Sequence, residues 1–387
     1  MSRVSLFVRG ASKSLRRNSR LLFGQGLARI VGPRTPSAQL ARDQIATVLV
    51  VRINGRMGNT LFLTPLLERL HELLPNASID LALSFPKAGE LLHNYPGLRR
   101  IIQFPHKGPG LVPRYFKALR EMRAERYDLV IDPVPESTSG RVALSLSRAR
   151  YRLGFATGSQ WAPLTHTVPQ AVGFMHQAVQ PVFLLSRALD APFDARSLQL
   201  SLALTADEIQ SGRAAVARAM TPEGRPPAVP GMTAFGFFAH GTGDKTLERA
   251  WWLAFWKCFL ELQPEAVPVE FLPAPHSAPI DDRFPSLHFP SPRNLTAAIA
   301  ATRLFVSADT GPMHLASSTA TPTVALFKTT NPALYGPLKS TDLVINVGEC
   351  TPQVAAQQCQ RLWQESERLV EIRDHADFDT RARHNVR

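Results

Sequence analysis

Cysteine is scarce in this chain: Cys258, Cys350 and Cys359 are the only three in 387 residues. An odd, widely spaced set builds neither a disulfide framework nor a zinc site, and it suits a reducing compartment. Long apolar runs are missing too, and none reaches the length of a membrane-spanning helix. Acidic residues are almost absent from positions 1–43, where nine Lys/Arg face a single acid, Asp43. That segment supplies +8 (nine minus one) of the net +13, so the remaining chain is only mildly basic. The first glycine turn, Asn54-Gly55-Arg56-Met57-Gly58-Asn59, lacks the third glycine of a dinucleotide fingerprint, and no acidic residue closes the strand that follows. No Asp-x-Asp pair stands at a strand end. Asp377-Phe378-Asp379 has the spacing but lies in a polar tail, so no metal is expected.

What the chain does contain is enough core for more than one domain. Its length exceeds what one ordinary core supports, and 44% of its residues are hydrophobic. In the basic arm, residues 1–43, Arg9, Lys13, Arg16 and Arg20 fall on one face of a notional helix and Val8, Ala11, Leu15 and Leu22 on another. Such a segment is either a peripheral contact for an anionic membrane surface or a solubilising tail. Charges interrupt any apolar core and no small-residue cleavage site follows, so it does not read as a secretory signal. It also lacks the interleaved aromatics of a nucleic-acid-binding arm, and nucleic acid is not expected as a partner.

From residue 44 onward strands alternate with helices. Ile45–Ile53 is a near-continuous β-branched run, as expected of a strand buried on both faces. A helix is expected over Thr60–Leu74, then strands at Ser78–Leu83 and Arg100–Phe104, a basic helix over Leu111–Glu125, strands at Tyr127–Asp132 and Tyr151–Phe155, and a helix over Met175–Leu189. This alternation implies a parallel sheet, with ligands bound beyond its C-terminal strand ends. Asn54–Asn59 and Asp132–Glu136 both fall at such ends. Four prolines and two glycines in Thr221–Gly231 then suggest a linker. The expected division is an arm over 1–43, domains over 44–220 and 232–348 joined by a 221–231 linker, and a terminal helix with a polar tail over 349–387.

The second half offers two anion-ready turns. Strand Thr233–Ala239 leads into His240-Gly241-Thr242-Gly243-Asp244-Lys245, with Lys245 placed to meet a phosphate. The aromatic run Trp251, Trp252, Phe255, Trp256 and Phe259 reads as core packing. The apolar run Leu304-Phe305-Val306 leads into Ser307-Ala308-Asp309-Thr310-Gly311-Pro312 and a short helix, followed by the strand Thr323–Phe327. Backbone N–H groups at that helix start can hold an anion, Pro312 costs nothing in the first turn, Thr310 adds a hydroxyl, and Asp309 can cap. A plain capped helix is the competing reading. Two Rossmann-like βαβ domains with phosphate turns confined to the second suggest a cleft enzyme.

Three blocks carry a family resemblance: Val50-Val51-Arg52 with Met57-Gly58-Asn59-Thr60-Leu61 and Thr64-Pro65; Tyr127–Asp132; and Asp309-Thr310-Gly311-Pro312-Met313-His314-Leu315-Ala316 with Pro322–Phe327 and Asn331-Pro332…Gly336-Pro337. Together, over roughly residues 45–345, they resemble glycosyltransferase family 9, the heptosyltransferases of the lipopolysaccharide inner core. The resemblance implies the two-domain glycosyltransferase-B fold and inverting transfer of a heptose-like sugar. The donor would be a nucleotide-sugar, ADP-heptose above all, and the acceptor a lipid-linked glycan at the cytoplasmic face of the inner membrane. It assigns the donor diphosphate to Thr310, Gly311 and His314, with Lys245 as the phosphate-facing lysine. Gly241, Thr242, Asp309, Pro312 and Lys328 complete the expected donor set. No metal cofactor is implied.

Departures from the family pattern are specific. Where its heptosyltransferases carry an aspartate as acceptor base, this chain has Asn59, an amide that can orient an acceptor but cannot take its proton at neutral pH. Asp132, Glu136 and His176 are the alternative bases, each also readable as a structural residue. Pro273-Ala274-Pro275-His276 replaces a glycine-rich turn with a nucleotide-holding glutamate, and Lys328 replaces a small residue. Two readings follow: an active transferase, or a catalytically impaired nucleotide-sugar binder. A nucleotide-sugar epimerase shares the architecture, but no epimerase signature is present.

Overall fold

The computed structural model describes residues 40–366, apart from 107–109, 136, 157–163, 172, 174, 222–231 and 242. The arm as far as residue 39, most of the proline-rich stretch, Glu136, Thr242 and the Asp377–Asp379 tail lie outside the described residues. The chain divides into two compact units, Met1–Ser197 and Leu198–Arg387.

In the first unit the β-branched run becomes β1 (Thr47–Arg52), in which Val48, Leu49, Val50 and Val51 are fully buried. It pairs with β2 (Ser78–Leu83) on one side and β4 (Tyr127–Asp132) on the other. A strand central in a parallel sheet has helices over both faces, which is why the run does not alternate. With β3 (Leu98–Gln103), β5 (Ala149–Ala156) and β6 (His166–Pro169) the order is β3-β2-β1-β4-β5-β6, parallel throughout. The expected Thr60–Leu74 helix is in fact two, Met57–Leu61 and Thr64–Leu73. Pro65 has no N–H to continue a helix into residue 61, and it opens the second one at its first turn instead.

The second unit repeats this plan. Strands β7 (Thr233–Phe238), β8 (Ala266–Leu272), β9 (Ser286–His288), β10 (Leu304–Ala308), β11 (Thr323–Phe327) and β12 (Leu343–Asn346) are ordered β12-β11-β10-β7-β8-β9, again all parallel. Numbered from its own first strand, each sheet has the doubly wound order, which reverses between its first and fourth strands. The aromatic run is core, as expected. Phe235 and Phe237 of β7 pack on Trp252, Phe255, Trp256 and Phe259 of helix Arg249–Leu262, with Trp363 from the helix over 352–366. Ring centroids lie 4.7 Å apart for both Phe235–Phe259 and Phe237–Trp256. No helix among the described residues is long and apolar enough to cross a membrane.

The expected boundary needs correction. Helix Ala206–Met220 belongs to the second unit, not the first, because it packs on helix Pro292–Ile299. Thr205 and Glu208 close a capping box at its start. The Glu208 carboxylate then takes two bonds of 2.6 Å from Arg293, whose guanidinium also donates to the Leu202 carbonyl. Arg293 holds that carboxyl down at about 2. The two helices meet at Gly212, where a Cβ would lie 2.2 Å from the Ala297 carbonyl oxygen. Gly212→Ala must therefore push two backbones apart. The expected cost is about 1–3 kcal/mol, read as a lower denaturant midpoint.

Candidate functional site

The order reversal in the second sheet falls between β7 and β10, and the residues beyond their C-terminal ends converge there. After β7 the chain turns through His240 and Gly241 into a single 3-10 turn, Gly243–Lys245. Both described glycines are dictated locally. A Cβ on Gly241 would meet the Thr246 backbone at 2.8 Å, and Gly243 has φ +60°. The turn brings Lys245 to Asp309, just past β10: its ammonium donates to the Asp309 carboxylate and to the Asp309 carbonyl at 3.3 Å. Thr330 Oγ1 donates to the same carboxylate. Lys328, one residue past β11, reaches the Thr246 carbonyl at 3.5 Å and so joins this edge.

Asp309 is thus not a helix cap, contrary to expectation. Thr310 occupies the N-cap position of helix Gly311–Ser317, and no side chain caps it. The Thr310 hydroxyl donates to the Ala308 carbonyl at 3.2 Å and shares a hydrogen bond of 3.1 Å with Ser307. The Asp309 carboxylate is occupied by Lys245 and Thr330 instead. Pro312 lies in the first turn, and His314 is buried one turn further on. A seven-residue helix has little dipole, so the positive charge here comes mainly from Lys245 and Lys328. Beside them His240 Nε2 stands 3.2 Å from Glu270 Oε1, while Glu270 Oε2 accepts from the Ile280 N–H. Glu270 is fully buried in β8.

In the first unit the reversal falls between β1 and β4. Arg52 ends β1 and donates to Asn59 Oδ1 at 3.4 Å. Asp132 ends β4, and as a candidate base it needs correction: it is fully buried. Its Oδ1 accepts from the Val134 N–H and its Oδ2 lies 3.4 Å from Arg141 Nε. Burial lifts this carboxyl to about 7, against the lowering pull of Arg141, the Val134 N–H and Arg52. Arg141 is buried as well and donates to the Phe155 carbonyl at 2.7 Å. The pair fits only because two neighbours lack side chains: a Cβ on Gly140 would lie 2.6 Å from Asp132 Oδ1, and one on Gly154 2.2 Å from Arg141 Nη1.

His176 is likewise structural. Its Nδ1 accepts from the Ala178 N–H, its carbonyl takes the Val179 and Gln180 N–H groups, and its ring meets Phe62 edge-on at 5.2 Å. One residue outside the expected set does face solvent at this edge. His106, three residues past β3, lies with its ring on the Asn54–Asn59 turn, where a Cβ on Gly55 would meet its Cγ at 2.5 Å. No group of three or more His, Cys, Asp or Glu able to hold a metal occurs among the described residues.

Paired doubly wound sheets, with a lysine-bearing turn at one order reversal, are the glycosyltransferase-B architecture, and comparison with known proteins agrees. The family model for glycosyltransferase family 9 (heptosyltransferase) matches residues 292–363, which include the Asp309–His314 turn and Lys328. No curated protein matches the sequence. Among solved structures, a glycosyl transferase of family 9 from Veillonella parvula superposes with a TM-score of 0.67 at 18% identity, covering 85% of this chain and 100% of that one. Heptosyltransferase WaaC of E. coli with ADP gives 0.63 at 17% identity over 83% and 99%. E. coli ADP-heptose lps heptosyltransferase II gives 0.63 at 18% over 83% and 99%. The chain resembles the heptosyltransferases in fold, and in sequence over the site-bearing segment of its second unit.

Proposed function

We propose that this protein is a glycosyltransferase that moves a heptose-like sugar, with inversion, from an ADP-sugar to a lipid-linked glycan acceptor of the lipopolysaccharide type at the cytoplasmic face of the membrane. The observation that carries this reading is the Lys245–Asp309–Thr330 cluster at the order reversal of the second sheet. An ammonium has three donors, and Asp309 takes two of Lys245's. The third is left for a diphosphate oxygen, in a position fixed before the ligand arrives. With Lys328 alongside, the edge meets the negative charge that develops on the departing nucleotide. ADP in E. coli WaaC supports an adenine nucleotide.

On the first unit, Asn59 holds and orients the acceptor through its amide. His106 takes the acceptor hydroxyl's proton as that oxygen attacks the anomeric carbon and the bond to the diphosphate breaks. The competing reading, a binder without transfer, is favoured by one observation: Asn59 is an amide and the nearby Asp132 is buried. Incubation with ADP-, GDP- and UDP-sugars and a membrane glycolipid separates the two. Acceptor-dependent nucleotide release is expected from the ADP-sugar and is expected to fall at least tenfold in His106→Ala. Binding with no release in any combination establishes the binder instead.

A further inference from the structure

Helix Leu111–Arg123 follows β3 and starts just after Gly110, whose φ is +67°. Only one side of it is packed: Ala118 and Met122 are buried in the first unit's core, with Tyr115 and Leu119 partly covered beside them. The other side carries apolar groups that the described residues leave largely exposed. Val112 and Phe116 are each 64% exposed and Leu111 is 42% exposed. These are three of the six exposed large hydrophobic residues among those described, so the exposure is concentrated rather than scattered. Val112, Phe116 and Arg120 follow one another at i, i+4 and form a single ridge. Arg114, Lys117 and Arg120 stand along and beside it, and none of the three makes an ion pair among the described residues.

An exposed apolar ridge framed by unpaired cations suits an interface that is apolar at depth and negative at its surface. A second copy of the same face fits poorly, because a two-fold contact would set these cations against themselves. Residues 1–39 of this chain fit no better, with eight Lys/Arg and no acid. We propose that this helix face docks on an anionic lipid bilayer, with Val112 and Phe116 entering the boundary between headgroups and acyl chains and Arg114, Lys117 and Arg120 meeting lipid phosphates. This is a surface separate from the basic arm. It does not depend on the transfer proposed above, since it predicts binding to lipid alone.

The test is sedimentation of the full-length chain with large unilamellar vesicles, without nucleotide or acceptor. Vesicles of phosphatidylglycerol with phosphatidylethanolamine should bind it, and pure phosphatidylcholine vesicles should bind at least tenfold more weakly. Because each juxtamembrane cation is worth about fivefold, R114Q/K117Q/R120Q should lose about a hundredfold. V112N/F116S should lose at least tenfold while keeping the wild-type melting temperature, since neither side chain is packed. Amide exchange over residues 111–120 should slow when vesicles are present. If the helix variants bind like wild type while R16Q/R17Q/R20Q abolishes binding, the arm is the docking element and the proposal is wrong. Equal binding to both vesicle types also overturns it. So does a concentration-dependent dimer that F116S dissolves, which would make a second copy the occupant, or retention of the chain by an acidic protein surface without lipid affinity.

Discussion

Replacing Lys245 with alanine is expected to weaken nucleoside diphosphate binding about 10–100-fold and, independently, to lower the melting temperature. The first effect is the loss of one charge-assisted hydrogen bond, about 1.5–3 kcal/mol. The second arises because Asp309 is only 5% exposed and would keep Thr330 as its one remaining side-chain donor. An uncompensated carboxylate at that depth costs about 1–2 kcal/mol, less than in a sealed core because the Lys245 side chain is 31% exposed and the pair is partly screened. The two effects separate in the double variant. Lys245→Ala with Asp309→Asn removes the stranded charge, so it should recover most of the lost stability while the affinity stays well below that of the wild type. Calorimetric titration with ADP beside thermal melts checks both. Recovery of binding together with stability would mean that Lys245 is a scaffold residue and that the diphosphate is held elsewhere.

The second large effect is expected in the first unit. Above about pH 7, where this carboxyl is ionised, Asp132→Ala should destabilise by about 3–5 kcal/mol, because it strands the buried Arg141 guanidinium, which cannot shed its proton. Arg141→Met should cost less, because the carboxyl left behind can neutralise itself by protonation. The same carboxyl gives stability a pH slope. It titrates at about 7 in the fold, above its ordinary value of 3.8. Between those pH values the folded chain holds a proton that the unfolded chain has released. Its contribution is therefore fully present below pH 3.8 and is lost as pH rises through about 7. Asp132→Asn should flatten that part of the curve, which urea titrations at a series of pH values would show. An unchanged slope would mean the carboxyl is ionised throughout.

The sequence was most legible where burial on both faces leaves a run of apolar residues. Strands β2, β4 and β11 lie where the sequence places them, at Ser78–Leu83, Tyr127–Asp132 and Thr323–Phe327. Strands β6 and β9, short and at sheet edges, carry no such run and went unseen. Helix Ala206–Met220 was also unseen. Its membership of the second unit is fixed by Arg293, 85 residues from Glu208, and no local signal carries that distance. The candidate site divides in the same way. The turns at 240–245 and 309–314 were visible because glycine and proline at strand ends are local signals. That Asp309 turns to Lys245 rather than to its own helix depends on a neighbour 64 residues away, and that Asp132 is sealed by Arg141, Gly140 and Gly154 depends on how the following helix and strand pack on it. His106 was invisible for the same reason: its placement comes from lying on Gly55.

The aromatic core of the second unit gives each of these experiments a reporter. Of the five tryptophans in the sequence, Trp251, Trp252, Trp256 and Trp363 lie in or against that core. Intrinsic fluorescence therefore reports mainly on the second unit, whereas far-ultraviolet dichroism weighs both sheets alike. A melt followed by both signals would separate ligand-stabilised unfolding of one half from the behaviour of the other, with no label attached.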